Sequence, residues 1–169
     1  VFLLILAMFI VSVIGSKKIG ALEAVQSLSP DKFPKVSIGF SALNEEESIA
    51  NALSSLLQLD YPEFEIIAIN DRSTDKTGEI LASLAKQNPR LRVVHIDALP
   101  AGWLGKNHAL NLGSQQAEGK YIVFTDADVM FDKSVIKLAV SCCEQQQLDH
   151  LTLAPALIAK NHFLQLLLT

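Results

Sequence analysis

The sequence predicts an α/β fold in which a mostly parallel β-sheet carries helices on both faces. Short apolar runs rich in β-branched residues alternate with segments whose apolar residues recur at helical spacing. The runs are nearly continuous, as expected of parallel strands that are buried on both faces. The predicted strands are Val36–Phe40, Glu65–Ile69, Leu91–Ile96 and Tyr121–Phe124, with Leu151–Leu153 as a fifth candidate.

Four helices are predicted between and after these strands. Asn44 is expected to cap the first helix, because Glu47 follows three residues later in a pattern close to a capping box. The second helix is expected to begin at residues 73–75, where three side chains suit a cap. The third is predicted over Lys106–Gln116, and Asp132 is expected to cap the fourth.

Composition and charge narrow the class of protein. The chain has 169 residues, of which 50% are hydrophobic and 19% are charged, enough for one domain with a core and an additional apolar segment. Its net charge of -4 argues against a nucleic-acid partner. The only two cysteines, Cys142 and Cys143, are adjacent, so they provide neither a disulfide framework nor a metal-binding spacing. This favours a reducing compartment such as the cytosol.

The first residues predict a membrane anchor. Val1–Ile14 is almost uninterrupted apolar sequence, and Lys17 and Lys18 follow directly. A spanning helix needs about 20 apolar residues, so we expect the chain to be truncated, with the rest of the helix upstream. The two lysines predict that the following domain lies on the cytoplasmic side. A signal-peptide core and a buried helix are the alternatives.

These features divide the chain into four predicted parts. Residues 1–16 are the transmembrane anchor and residues 17–35 a polar linker. Residues 36–150 form the α/β core, and residues 151–169 begin an incomplete region at the membrane interface.

Polar clusters follow three of the predicted strands. They are Asn44–Glu46, Asn70–Asp75 and Asp126–Asp128. Ligands of open parallel sheets bind beyond the carboxyl ends of the strands. The sequence therefore predicts a ligand site built from these three clusters.

Asp126 and Asp128 are predicted to bind a divalent metal. Residues two apart in an extended chain point the same way, so both carboxylates should face one side. Carboxylate oxygens suit Mg²⁺ or Mn²⁺, and a diphosphate would supply further oxygens. The alternative is a solvated turn.

Asp71, Glu45 and Lys106 are further candidates. Asp71 follows its strand directly and can accept hydrogen bonds from a base or a ribose, although it could also cap the next helix. Glu45 could bind a ligand or favour the dipole of the first helix. Lys106 opens the third helix, where a cation suits the dipole poorly, so a diphosphate or sugar contact is predicted. In the same loop Trp103 could pack on a sugar or cover the core, and His108 is predicted to be structural.

The order of these motifs resembles that of family 2 glycosyltransferases with the GT-A fold. The motifs are Val36–Ile38, Asn44–Glu46, Glu65–Ile67, Asn70–Asp75, Gly105–Asn107 and Asp126–Asp128. The segment Gly102–Ala109 is similar to hopanoid-associated, carotenoid and ceramide-type glucosyltransferases, which also carry an N-terminal membrane helix.

The resemblance implies an inverting, metal-dependent transfer from a nucleotide-diphosphate sugar, UDP-linked by analogy, to a lipid acceptor. It implies that Asp71 contacts the uracil, that Glu45 lies near the nucleoside and that Lys106 faces the diphosphate or sugar. Asp126 would contact ribose or sugar, and Asp128 would hold Mg²⁺ or Mn²⁺. The general base of the family lies well downstream of the second aspartate and is expected beyond Thr169.

Two departures leave alternatives open. Ser41–Asn44 stands where relatives often have Pro-Ala-Arg-Asn, and no acidic pair follows Asp132. Because an inverting transfer needs a base, the chain could instead be a module that binds the donor without catalysis. A haloacid-dehalogenase-like phosphatase is disfavoured because its aspartate pair follows the first strand. A dinucleotide-binding enzyme is disfavoured because no GxGxxG follows that strand.

Overall fold

The computed structural model describes residues 22–154. The predicted anchor, residues 1–16, and most of the predicted region 151–169 lie outside the described residues. Among the helices described between residues 22 and 154, none has the length and apolar character that a membrane crossing requires.

Four parallel strands form the sheet of the described part of the chain, in the order β3-β2-β1-β4. Their bounds are β1 Val36–Ala42, β2 Phe64–Asp71, β3 Leu91–Ile96 and β4 Tyr121–Asp126. The chain runs from β1 through β2 to β3 on one side, whereas β4 lies on the other side of β1. The strand order therefore reverses between β1 and β4, and the crevice at such a reversal is where open α/β sheets bind ligands.

Helices follow the strands as the alternating pattern predicted. They are α1 Ile49–Leu57, α2 Thr77–Gln87, α3 Gly105–Gln115 and α4 Val135–Gln146. Short 3₁₀ turns at Leu22–Ala24 and Pro30–Lys32 precede the sheet.

Helices cover both faces of the sheet. On one face, apolar residues of α1, α2 and α4, among them Leu53, Leu81 and Ile136, pack against β1 and β2. On the other face, Ala109 of α3 packs against Ile67 and Ile69 of β2. Because β1 and β2 are covered on both sides, nearly all their residues are buried, which explains their continuous apolar sequence. The predicted α/β architecture is confirmed.

The predicted starts of three helices are corrected. Helix α1 begins five residues after Asn44, at Ile49, with Ser48 at its N-cap, and α2 begins at Thr77 rather than at residues 73–75. Helix α4 begins at Val135, and the carboxylate of Asp132 accepts a hydrogen bond from the backbone N–H of its N-cap residue, Ser134 (2.8 Å). In the first two cases polar side chains that suggested a cap bind another loop, although Asp75 also accepts a hydrogen bond from the N–H of Thr77, the first residue of α2.

The fifth candidate strand is wrong. Leu151–Leu153 has no regular secondary structure, so the described sheet ends at β4.

Candidate functional site

The carboxyl ends of the strands bring the predicted polar clusters to one rim of the sheet. In register, Ser41 of β1 pairs with Asp126 of β4 on one side and with Ile69 of β2 on the other. Neighbouring strands lie about 4.8 Å apart, so the ends of β2 and β4 are about 10 Å apart across β1. Asp71 and Asp126, the last residues of these two strands, therefore flank the loop that follows β1.

The loops after β1 and β2 are joined by reciprocal hydrogen bonds. The side chain of Asn44 accepts a bond from the backbone N–H of Thr74 (2.8 Å), and the N–H of Asn44 donates to the Ser73 hydroxyl (3.1 Å). Two residues after Asn44, the N–H of Glu46 donates to Asp75 (3.1 Å), and the Glu46 carboxylate accepts from the N–H of Lys76 (3.0 Å). The two loops consequently form one unit above β1 and β2.

Asp75 is central to this unit because it also accepts from the N–H of Thr77 (2.9 Å). Burial opposes the ionisation of Asp75, but the hydrogen bonds from Thr77 and Glu46 outweigh it, so the pKa of Asp75 lies below its ordinary value.

Glu45 lies in the joined loops. Its N–H donates to the buried Thr77 hydroxyl (2.8 Å), and its carboxylate accepts from the Ser48 hydroxyl (2.7 Å). The structure thus gives Glu45 a contact with the N-cap residue of α1, and this contact matches its alternative, local role at the start of that helix.

Asp71 is buried, and the next residue covers it. Arg72 has a φ of 59°, a left-handed conformation that costs a residue with a side chain about 1 kcal/mol or more. Its Nε and Nη2 donate to the two carboxylate oxygens of Asp71 at 2.7 and 3.0 Å. This hydrogen bonding raises the pKa of Arg72 above its ordinary value. The Asp71 side chain is 3% exposed and the Arg72 side chain 34%, so a ligand that approaches the end of β2 meets the guanidinium first.

Lys106 and Asp126 form an ion pair across the rim. Lys106 is the second residue of α3, and its ammonium donates to Asp126 Oδ1. Both side chains are more than half exposed, at 58% and 59%. No side chain caps α3, since Leu104 holds the N-cap position. The cation that suits the helix dipole poorly is thus balanced by a carboxylate from β4.

The two predicted metal ligands flank a buried residue. Strand β4 ends at Asp126, and residues 127–128 form a turn, so the expected extended geometry does not hold. Ala127 is buried in the core, while Asp126 and Asp128 are both exposed to solvent.

The donor set fits a divalent metal only together with a ligand. Within residues 22–154 no three His, Cys, Asp or Glu side chains lie close enough together to bind an ion. Asp126 and Asp128 would supply two hard oxygen ligands. Since Mg²⁺ and Mn²⁺ favour octahedral oxygen coordination, the remaining ligands would be water and substrate oxygens.

Trp103 and His108 pack on each other. Their rings meet edge to face with centroids 5.3 Å apart, and Trp103 remains 42% exposed. His108 thus packs on Trp103, and its structural role stays a prediction. Trp103 does not cover the core, and its contact with His108 leaves part of its ring exposed.

The sequence reasoning placed Arg72 and Gly105 within motifs but gave neither residue a role. A side chain at Gly105 would lie within 2.7 Å of Arg72 Nη2 and 2.9 Å of Asp71 Oδ2, so α3 begins directly against this ion pair. The adjacency of an acidic and a basic residue after β2 was the only available signal. It does not reveal the left-handed φ that folds one onto the other.

A parallel sheet with carboxylates and a lysine at its carboxyl rim has the arrangement in which open α/β proteins bind ligands. The model of glycosyl transferase family 2 matches residues 37–156. The chain belongs to this family.

Two curated relatives show the range of the family. A poly-beta-1,6-N-acetyl-D-glucosamine synthase of Staphylococcus epidermidis is 40% identical over 97 residues, which cover 57% of this chain and 22% of the relative. A beta-monoglucosyldiacylglycerol synthase of Nostoc sp. is 35% identical over 133 residues, covering 77% of this chain and 28% of the relative. The chain therefore spans about a quarter of these relatives.

Two solved structures share the fold. The mannosyltransferase PcManGT from Pyrobaculum calidifontis, in complex with GDP-Man and Mn²⁺, aligns with a TM-score of 0.61 and 28% identity over 71% of this chain and 35% of that one. S. aureus TarS in complex with UDP-GlcNAc aligns with a TM-score of 0.58 and 29% identity over 67% of this chain and 32% of that one. The GT-A fold implied by the motifs is confirmed.

Proposed function

We propose that this chain is the donor-binding part of a metal-dependent, inverting glycosyltransferase that uses a UDP-linked sugar. The observation that carries the proposal is the convergence of Asp71, Lys106, Asp126 and the Asn44 loop at one rim, beside the reversal of strand order. The TarS complex with UDP-GlcNAc and the PcManGT complex with GDP-Man and Mn²⁺ support both the donor class and the metal.

Each site residue receives a role consistent with its position. Lys106 is exposed and able to leave Asp126 for a diphosphate. Asp126 and Asp128 hold Mg²⁺ or Mn²⁺, which neutralises charge on the leaving diphosphate. Asp71 and Glu45 serve the nucleoside side of the donor.

We further propose a lipid acceptor and attachment to the cytoplasmic face of a membrane. The support is the beta-monoglucosyldiacylglycerol synthase among the relatives, together with the apolar run at residues 1–14 and its flanking lysines. The poly-N-acetylglucosamine synthase makes a sugar acceptor the competing expectation. Transfer assays with diacylglycerol and with an N-acetylglucosamine oligosaccharide separate the two.

Calorimetry with UDP tests the donor site. We expect UDP to bind in the presence of Mn²⁺, and we expect Asp128→Ala to weaken this binding about tenfold or more, equivalent to about 1.4 kcal/mol. The fold should survive, because Asp128 is exposed. Asp60→Ala is the matched control, since Asp60 is an exposed carboxylate before β2, at the opposite end of the sheet.

The outcomes separate the parts of the proposal. Equal UDP affinity with and without Mn²⁺ would contradict the metal site, and no UDP binding at all would contradict the donor site. UDP binding without transfer of sugar from a UDP-sugar would favour the donor-binding module over the enzyme.

A further inference from the structure

The carboxylate at the end of β2 is not free to receive a ligand. Arg72 occupies both oxygens of Asp71, and the Asp71 side chain is 3% exposed. A nucleoside that is to hydrogen-bond this carboxylate must first displace the guanidinium.

Displacement by a neutral group is unfavourable. A buried carboxylate that loses its cationic partner keeps its desolvation penalty without the compensating charge. The N–H and O–H groups of a nucleoside provide hydrogen bonds but no positive charge. A nucleoside alone therefore pairs poorly with Asp71 while Arg72 stays in place.

The guanidinium is placed to accept a different anion. Its side chain is one third exposed, and Nη1 donates to no group within residues 22–154, whereas Nε and Nη2 both bind Asp71. The backbone of Arg72 is fixed, since its N–H donates to the carbonyls of Asn70 (3.2 Å) and Ile96 (3.1 Å). A change of partner thus requires only rotation of the side chain. Phosphate oxygens suit the guanidinium as well as a carboxylate does.

We propose that Arg72 couples recognition of the diphosphate to recognition of the nucleoside. In the unliganded chain it holds Asp71, and a bound diphosphate draws the guanidinium away, so that Asp71 can accept the nucleoside's hydrogen bonds. The inference rests on the proposed function, because it assumes a nucleoside diphosphate donor. Arg72 is then a specificity-determining residue that makes the site reject nucleosides without phosphates.

The absence of a side chain at Gly105 maintains this arrangement. A methyl group there would lie 2.7 Å from Arg72 Nη2 and 2.9 Å from Asp71 Oδ2. Gly105→Ala would therefore disturb the Arg72–Asp71 ion pair by steric contact, while both charged side chains stay in the protein.

The test compares the affinities of UDP and uridine in the presence of Mg²⁺. For the unaltered chain we expect UDP to bind much more tightly than uridine. In Arg72→Ala we expect uridine to bind about tenfold more tightly than in the unaltered chain, and the UDP-to-uridine ratio to fall by about tenfold or more. Arg90→Ala, an exposed arginine before β3, should leave the ratio unchanged.

A second variant and an NMR signal test the inference even if Arg72→Ala does not fold. Arg72→Lys keeps the charge but cannot form the two-pronged bond, so the ratio should fall by a smaller factor. In the unaltered chain, the Nε–H resonance of Arg72 should shift with UDP and not with uridine.

The inference fails if UDP binds the unaltered chain but neither Arg72 variant changes the UDP-to-uridine ratio. It also fails if uridine alone shifts the Nε–H resonance as far as UDP does. If the unaltered chain binds no UDP, the proposed function fails instead, so the two failures are distinguishable.

Discussion

Charged groups at the two ends of the sheet differ in their burial and in the groups that bind them. At the amino end, the buried carboxylate of Glu65 accepts from the hydroxyl of fully buried Ser37 (2.7 Å), from the backbone N–H of Glu118 (2.9 Å) and from Arg92 (3.0 Å). The ammonium of Lys35 donates to the carboxylate of Glu118 (2.6 Å), so these two charges balance each other. One oxygen of Glu65 is thus held by a buried hydroxyl and a backbone N–H, and the other by Arg92, whose side chain is 45% exposed.

The backbone turn before β4 packs closely against the start of β1. The N–H of Gly119 donates to Ser37 at 2.8 Å, and a side chain at position 119 would lie 2.5 Å from the backbone nitrogen of Ser37. The turn into β4 therefore requires glycine. This end of the sheet fixes the register between β1, β2 and β4.

At the carboxyl end, the charged groups are held mainly by long side chains. Lys106 and Asp126 are more than half exposed, and Arg72 reaches back to Asp71 from a strained backbone position. The exposed Lys106–Asp126 pair can exchange partners, because such pairs contribute only about 0–1 kcal/mol. The amino end thus holds a buried carboxylate that stabilises the fold, whereas we propose that the exposed pair at the carboxyl end receives a ligand.

Glu65→Ala should give the largest effect on stability. It leaves the buried Ser37 hydroxyl and Arg92 without their acceptor and removes the shorter of the two hydrogen bonds from the N–H of Glu118, so we expect a loss of about 3 kcal/mol in the free energy of unfolding. Urea denaturation measures it, with the exposed Glu63→Ala as the control. UDP affinity of the folded chain should not change. A loss no greater than that of Glu63→Ala would remove the distinction between the two rims.

Lys106→Gln should give a smaller effect, and on binding rather than stability. The variant loses the positive charge that we propose contacts the diphosphate, so UDP affinity should fall about tenfold. The free energy of unfolding should change by less than about 1 kcal/mol, since the pair with Asp126 is exposed.

Lys120→Gln is the matched control for this variant. Lys120 is equally exposed and also paired with a carboxylate, Glu144, but it lies at the amino end of β4. If both variants weakened UDP binding equally, Lys106 would have no specific role.

The fold was predictable because its signal is local. The apolar runs of β1 to β4 and the helical spacing after them depend on neighbouring residues, and they located each element to within a few residues. Residues 151–153 failed as a strand because a short apolar run does not reveal whether a neighbouring strand pairs with it.

The convergence of the candidate residues at one rim was predictable, but their contacts were not. Parallel topology alone places Asp71, Asp126 and Lys106 at one rim. Asn44 was expected to cap α1, but its side chain binds Thr74, 30 residues away, which no local pattern reveals. The Arg72–Asp71 pair depends on the sign of a single φ angle, which sequence does not specify outside glycine.

Chemical-shift mapping with UDP and Mg²⁺ on the isotope-labelled full chain in detergent tests the central claim most directly. The backbone amides of residues 44–46, 71–77, 105–108 and 126–128 should shift together, and those of residues 35–37, 63–65 and 118–120 should not. Shifts concentrated at the amino rim, or a complete absence of shifts at millimolar UDP, would contradict a nucleoside diphosphate site at the carboxyl ends of the strands.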